Sequence, residues 1–204
     1  MADVKRIGMP TPGFPRSVDI VVTNTTSRYF GSIGQITGSI IRGNRSDAVT
    51  AMMASRGMDP RAAFQTALAD RLAAHRLAVV PEQASATRRD FLPTYAGGGD
   101  RDAILDTVVS QYGFLALDDS DSSPFRPTVL VRTRLTSAHD RSVLRVDTVL
   151  INGVQGPALA ADGTALGLAT FKDFTELEAS PDRAVASLRQ AFAAAADGVV
   201  ARLT

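Results

Sequence analysis

Between residues 126 and 153 apolar and polar positions alternate with a period of two on both sides of a polar break. Val129, Val131, Thr133 and Leu135 fall on one face of an extended chain, and Leu144, Val146, Thr148 and Leu150 do the same beyond the break. Side chains alternate across a strand, so this pattern predicts an antiparallel hairpin over 126–153, set near the centre of a sheet. Arg132, Arg134, Arg145 and Asp147 then share the opposite, wetter face, where cross-strand charge pairs add a little.

The remaining pattern divides into helices and short strands. Asp59-Pro60 offers an N-cap and a proline for the first helical position, and Phe64, Ala67, Leu68 and Leu72 form the apolar stripe of a helix over 59–75. His75 closes that helix, where the dipole favours a cation. Ser180-Pro181-Asp182 opens a long C-terminal helix over 181–203, whose face is marked by Val185, Leu188, Phe192, Ala195, Ala196, Val199 and Leu203. A further helix is expected over 47–56, with strands over 4–9, 17–22 and 77–80 and a short one over 165–171. The stretch 103–117 fits either a helix or a long strand; its density of Thr, Val, Tyr and Phe favours the strand. The fold class is therefore α/β (α+β): a single domain over 1–204, with a mixed, largely antiparallel sheet covered by helices.

Composition narrows the function more than it reveals it. The 204 residues are 45% apolar and 21% charged, ordinary values for a chain with a real core. A net charge of +1 supplies no general field for nucleic acid, and the aromatic residues are not interleaved with basic ones. With no cysteine and two histidines, at 75 and 139, thiolate chemistry is excluded and a histidine metal site has little to draw on. Asp100/Asp102 and Asp118/Asp119/Asp121 sit in loop-like sequence with nothing apolar to raise a pKa. Arg88-Arg89 reads as a solvated loop pair. No nucleophile elbow, zinc-protease helix or dinucleotide fingerprint is present. The expectation is a protein that is not an enzyme and carries no cofactor or metal.

One stretch stands out as a candidate contact surface. Tyr29, Phe30, Ile33, Ile36 and Ile40 recur at helical spacing, with Gly34 and Gly38 one turn apart, so that another backbone or a membrane could approach closely. Burial against the chain's own sheet explains the same spacing. Residues 38–46 come near a phosphate-loop spacing, but Asn44 stands where the phosphate-contacting lysine belongs.

The order of elements carries a resemblance. Arg6-Ile-Gly-Met9, the glycine-rich Phe30-Gly-Ser-Ile-Gly34 stretch and a helix running into a strand come first. Asp102-Ala-Ile-Leu-Asp-Thr-Val-Val109 closing on Tyr112-Gly-Phe114 follows, then Arg126-Pro-Thr-Val-Leu-Val-Arg-Thr-Arg-Leu135, a turn and Val143-Leu-Arg-Val-Asp147. This order resembles bacterial outer-membrane and periplasmic lipoproteins of largely unassigned function. Their α/β fold is like that of the TolB amino-terminal domain, the curli-secretion lipoprotein and the lipoprotein activators of penicillin-binding proteins.

The resemblance spans about residues 5–150 and implies a non-enzymatic accessory lipoprotein. Such a protein would scaffold or regulate an envelope assembly through a protein partner or self-association. The lipid-bearing cysteine of such proteins is absent, which a mature form beginning just after it would explain. The expected location is then the periplasm, anchored to the outer membrane through that lipid; otherwise it is the cytoplasm. Two alternatives stay open: an auxiliary lipid-binding subunit of an envelope ABC-type transport system, and a cytoplasmic enzyme of unrecognised type.

Overall fold

The computed structural model describes residues 4–22, 44–95, 99–116, 124–152 and 167–203. In chain order the elements are β1 (Arg6–Pro10), β2 (Asp19–Val22), α1 (Asn44–Ser55), α2 (Pro60–Ala74), β3 (Ala78–Glu82) and β4 (Ala103–Ala116). They continue with β5 (Phe125–Ser137), β6 (Val143–Ile151), α3 (Phe174–Ala179) and α4 (Pro181–Ala201). The six strands form one mixed sheet in the order β3-β1-β4-β5-β6, with β2 also paired to β4.

β4 is the axis of this sheet, and it settles the ambiguity at 103–117 in favour of a strand. β1 runs parallel to its start (Ile7 opposite Ala103) and β2 parallel to its end (Asp19 opposite Gly113), with a single bridge from Gly13 to Val108 between them. β1 and β2 thus lie end to end along the same side of β4, separated by a stretch with Pro12 and Pro15, which cannot donate to a ladder. On its other side β4 takes β5 in a long antiparallel register from Ala103 opposite Ser137 to Ala116 opposite Phe125. The antiparallel pairings are the long ones; the parallel ones, including β1 with β3, are short. The chain reaches β3 from β2 through α1 and α2, the crossover that a parallel neighbour requires.

The hairpin forms, with β5 and β6 in register from Val129 opposite Ile151 to Thr136 opposite Val143. Its position differs from the sequence expectation: β5 is interior, but β6 ends the sheet. β4 meets β5 on one side and β1 and β2 on the other, and among the described residues the second arm of the hairpin pairs with β5 alone.

Helices cover one face. Phe64, Leu68 and Leu72 of α2 are buried, as are Val185, Leu188, Phe192 and Val199 of α4, following the spacing that predicted both helices. Asp59 caps α2 by accepting from the Ala62 amide at 3.0 Å, and His75 closes it. Ser180 stands at the N-cap of α4 but its side chain makes no capping bond; Pro181 and the acidic Asp182 open that helix without it. The rings of Phe14, Phe64, Tyr112 and Phe192 meet between these layers at centroid separations from 5.1 to 6.3 Å. Burial there pushes the Tyr112 hydroxyl up to about 12, with Asp19 and Asp59 adding to the shift. From 167 to 171 the described chain has no strand beyond a bridge between Phe171 and Phe125.

Two places fix the chain closely enough to be tested. Gly113 sits at φ +149°, and a Cβ there would lie 1.9 Å from the carbonyl oxygen of Asp19, in the backbone of the neighbouring β2. Gly113→Ala is therefore expected to cost more than about 2 kcal/mol in denaturant unfolding. Gly57, at φ +64° past the end of α1, faces open space, and Gly57→Ala should cost about 1 kcal/mol from conformation alone. Equal costs would show that the close approach of β2 does not constrain β4.

Asp102, just ahead of β4, accepts from the amides of Lys5 (2.7 Å) and Arg6 (2.9 Å), pinning the start of β1. Those two bonds hold its carboxyl below its ordinary value of 3.8. A depressed carboxylate adds stability that is present above its unfolded pKa and lost as pH falls through the native one. The stability gap between wild type and Asp102→Ala should therefore be steady near neutrality and close below pH 3.8. A gap independent of pH would refute the assignment.

Candidate functional site: the open β6 edge beside a polar clamp

The sheet face opposite the helices is built from the other residues of β4 and β5, and part of it is covered by 83–95. Phe14 donates its amide to the carbonyl of Ala86 at 2.9 Å, which starts this segment along the sheet. Asp106, wholly buried in the first half of β4, holds the rest. One carboxylate oxygen lies 2.5 Å from Nη2 of Arg88; the other accepts from the Leu92 amide at 2.8 Å and the Tyr95 hydroxyl at 2.9 Å. Arg88 also donates to the carbonyls of Thr11 (3.0 Å), Thr107 (3.1 Å) and Asp90 (2.9 Å). The reading of Arg88 as a solvated loop residue is thus corrected: its side chain is 10% exposed because a buried carboxylate draws it in. Arg89 is exposed, as expected.

β5 adds two more cations. Arg134 donates to the Tyr95 hydroxyl from Nε (2.9 Å) and Nη2 (2.6 Å), and to the Leu92 carbonyl. Arg132 reaches Ser110 at 3.1 Å, the Arg89 carbonyl at 2.8 Å and Asp90 at 3.0 Å. The Phe91 ring stacks under both guanidiniums, 5.4 Å from Arg132 and 4.8 Å from Arg134. Burial pushes the Tyr95 hydroxyl up to about 12, the Arg134 bond opposing it and Asp106 assisting, so at neutral pH it remains a donor to Asp106. The cluster is a clamp that holds 83–95 onto the sheet. Nothing in local sequence marks Asp106 as special. The signal was a lone aspartate in an apolar strand, with arginines two positions apart in the next.

The clamp is anchored on β4 and β5, and β6 lies beyond it. Leu150 stands across from Leu130, Thr148 from Arg132 and Val146 from Arg134, which places these side chains on the face away from the helices. This reverses the sequence expectation for β6. Leu144, Val146, Thr148 and Leu150 were expected to be buried; instead Val146 is 59%, Leu144 49% and Leu150 41% exposed, with Val143 at 56%. Among the described residues these four are the exposed large hydrophobics.

The buried set on β6 is Val149 and Ile151, under α4. Arg145 and Asp147 lie on that same helix side, where they pair with each other at 2.5 Å and Asp147 comes within 3.9 Å of Arg202. They therefore do not share a face with Arg132 and Arg134. Register decided the matter: Val131 opposes Val149 and Leu135 opposes Arg145, and a one-residue slip would invert every side chain. The result, among the described residues, is an edge strand without proline or lysine that exposes apolar side chains.

Tyr29, Phe30, Ile33, Gly34, Ile36, Gly38 and Ile40, the surface singled out by the sequence, lie outside the described residues, as do Asp118, Asp119 and Asp121. His139 lies in the tip of the β5–β6 hairpin, as read. There Asp140 accepts from the amide (3.1 Å) and hydroxyl (2.8 Å) of Ser142, and contacts with Ser137 and Ser142 hold its carboxyl down at about 2. Among the described residues no three potential metal ligands converge, and no helix is long and apolar enough to cross a membrane.

No family model matches the chain, and no curated protein matches it in sequence. Solved structures do. Protein XCC0632 from Xanthomonas campestris, of family model DUF330, aligns with a TM-score of 0.50 at 9% identity, over 97% of this chain and 83% of its own. The two share a fold. Lipoprotein GNA1162 from Neisseria meningitidis aligns at 0.32 and 14% identity, over 72% and 81%. A PelC dodecamer from Paraburkholderia phytofirmans aligns at 0.30 and 7%, over 94% and 86%. The latter two overlays are too loose to define a common fold.

Arg88→Met leaves a buried carboxylate without its cation and is expected to cost about 3 to 5 kcal/mol in urea unfolding. Adding Asp106→Asn removes the stranded charge and should recover much of that loss, giving a large coupling energy. Additive costs would show that Arg88 and Asp106 act independently.

Proposed function

We propose that this chain is a non-enzymatic accessory protein of the bacterial envelope, working through protein contact at the exposed β6 edge. The observation that carries the contact role is the apolar face of β6. A monomeric surface rarely clusters large apolar side chains on an open sheet edge, because such an edge templates unwanted pairing. Here the sequence places its more apolar alternation outward and its charges toward the helix side. That arrangement favours a surface meant to be covered.

The envelope part of the reading follows the resemblance in element order to outer-membrane and periplasmic lipoproteins. The non-enzymatic part of the reading draws on the polar cluster, whose carboxylate is wholly buried and held under 83–95 by Arg88, Leu92 and Tyr95. In this reading the anchor is a lipid attached ahead of the described residues, and the partner is a protein of the same compartment.

The test is a photo-crosslinking residue placed at Val146 in the source bacterium, with one at exposed Ala54 of α1 as control, combined with fractionation and intact-mass analysis. The expected result is an envelope-fraction protein, lipidated at its N-terminus, that yields an adduct to itself or to another envelope protein from Val146 alone. A soluble cytoplasmic protein with no adduct at Val146 would overturn the proposal.

A further inference from the structure

The partner of the β6 edge can be narrowed by its own sequence. The strand reads Val143-Leu-Arg-Val-Asp-Thr-Val-Leu-Ile151, with Arg145 and Asp147 flanking Val146 symmetrically. An isologous contact between two copies places the same strand on both sides of a two-fold axis. If that axis passes through Val146, perpendicular to the sheet, the two β6 strands run antiparallel and Arg145 of each copy stands opposite Asp147 of the other. Val146 meets Val146 on the exposed face, and the regular seam ends near Leu144, where the β5–β6 register shifts.

From this complementarity we infer that the β6 edge pairs with β6 of a second copy of this chain, in the register centred on Val146, joining two sheets into one. The inference rests on the reading of β6 as a contact surface and names what covers it.

The neighbouring registers fail on charge. Centring the axis on Arg145 sets two guanidiniums against each other, and centring it on Asp147 sets two carboxylates together; like charges directly opposite are destabilising. Centring on Thr148 puts Arg145 against Ile151 and Asp147 against Val149, both buried apolar residues. Only the Val146 centre gives both charges an opposite partner. The pairing keeps the helices of both copies on one side of the joined sheet. It also offers ladder partners to the backbone groups of β6 that point away from β5. Arg145 and Asp147 already contact each other within one chain at 2.5 Å, so the dimer adds a second ion pair to charges that are positioned for it.

The experiment is light-scattering mass measurement during size-exclusion chromatography of the full chain and three variants, with circular dichroism and thermal melts confirming that each folds. Wild type is expected at twice the chain mass. Arg145→Asp and Asp147→Arg each create like-charge pairs and should each weaken the dimer at least about tenfold. Mixed together, the two variants carry opposite charges at both pairs of this register and should recover the dimer. Val146→Lys, at an exposed site, sets two ammonium groups on the axis and should give a monomer even if either charge variant folds poorly.

A monomeric wild type, or a dimer indifferent to Val146→Lys, overturns self-pairing. A dimer lost in each charge variant but not recovered in the mixture overturns the register. If self-pairing fails while the Val146 crosslinker still captures another envelope protein, the contact role survives with a different partner; if that crosslinker captures nothing, both readings fall.

Discussion

A carboxylate with no exposure to water sits in the first half of β4, and the arrangement of the outer sheet face follows from it. Burying Asp106 is tolerable only because Arg88, Tyr95 and the Leu92 amide converge on its two oxygens. Those three groups come from one segment, so satisfying the charge also fixes where 83–95 runs. Once it is laid down, Arg88 bonds the carbonyls of Thr11 and Thr107 and thereby ties the segment between β1 and β2 to β4. Arg132 and Arg134 complete the cover from β5 by bonding its backbone and stacking on Phe91. A single buried charge thus decides which part of the sheet is sealed.

It also decides which part is left open. The segment is held where β4 and β5 present cations and a carboxylate, and β6 presents neither on that face. α4 covers β6 from the other side, burying Val149 and Ile151. The apolar outer face of β6 is therefore exposed by two arrangements that each stop short of it. An open edge with this composition is a hazard unless something pairs with it, which is why the contact role and the self-pairing register are argued from the same nine residues.

Much of the fold was legible along the chain. The stripes of Phe64, Leu68 and Leu72 and of Val185, Leu188, Phe192 and Val199 marked both long helices because helical burial repeats locally, within a turn or two. The alternation through Val129, Val131, Thr133 and Leu135 marked β5 correctly because an interior strand takes its buried face from its own pattern. The Thr, Val, Tyr and Phe of 103–117 favoured a strand, and as the axis of the sheet it is one. Ser180-Pro181-Asp182 marked the start of the last helix, although Ser180 makes no side-chain capping bond there.

The sequence by itself determined the elements and one face of each, since those depend on spacings within a single segment. Only the tertiary structure decided which face of β6 is buried, that Arg88 is an interior residue, and that Asp106 matters at all. The face of β6 depends on its register against β5, where Val131 meets Val149 and Leu135 meets Arg145. The place of Arg88 depends on a carboxylate 18 positions away that becomes its neighbour only when 83–95 folds over the sheet. Both are properties of pairs distant along the chain, and a periodicity read within one segment carries no information about them.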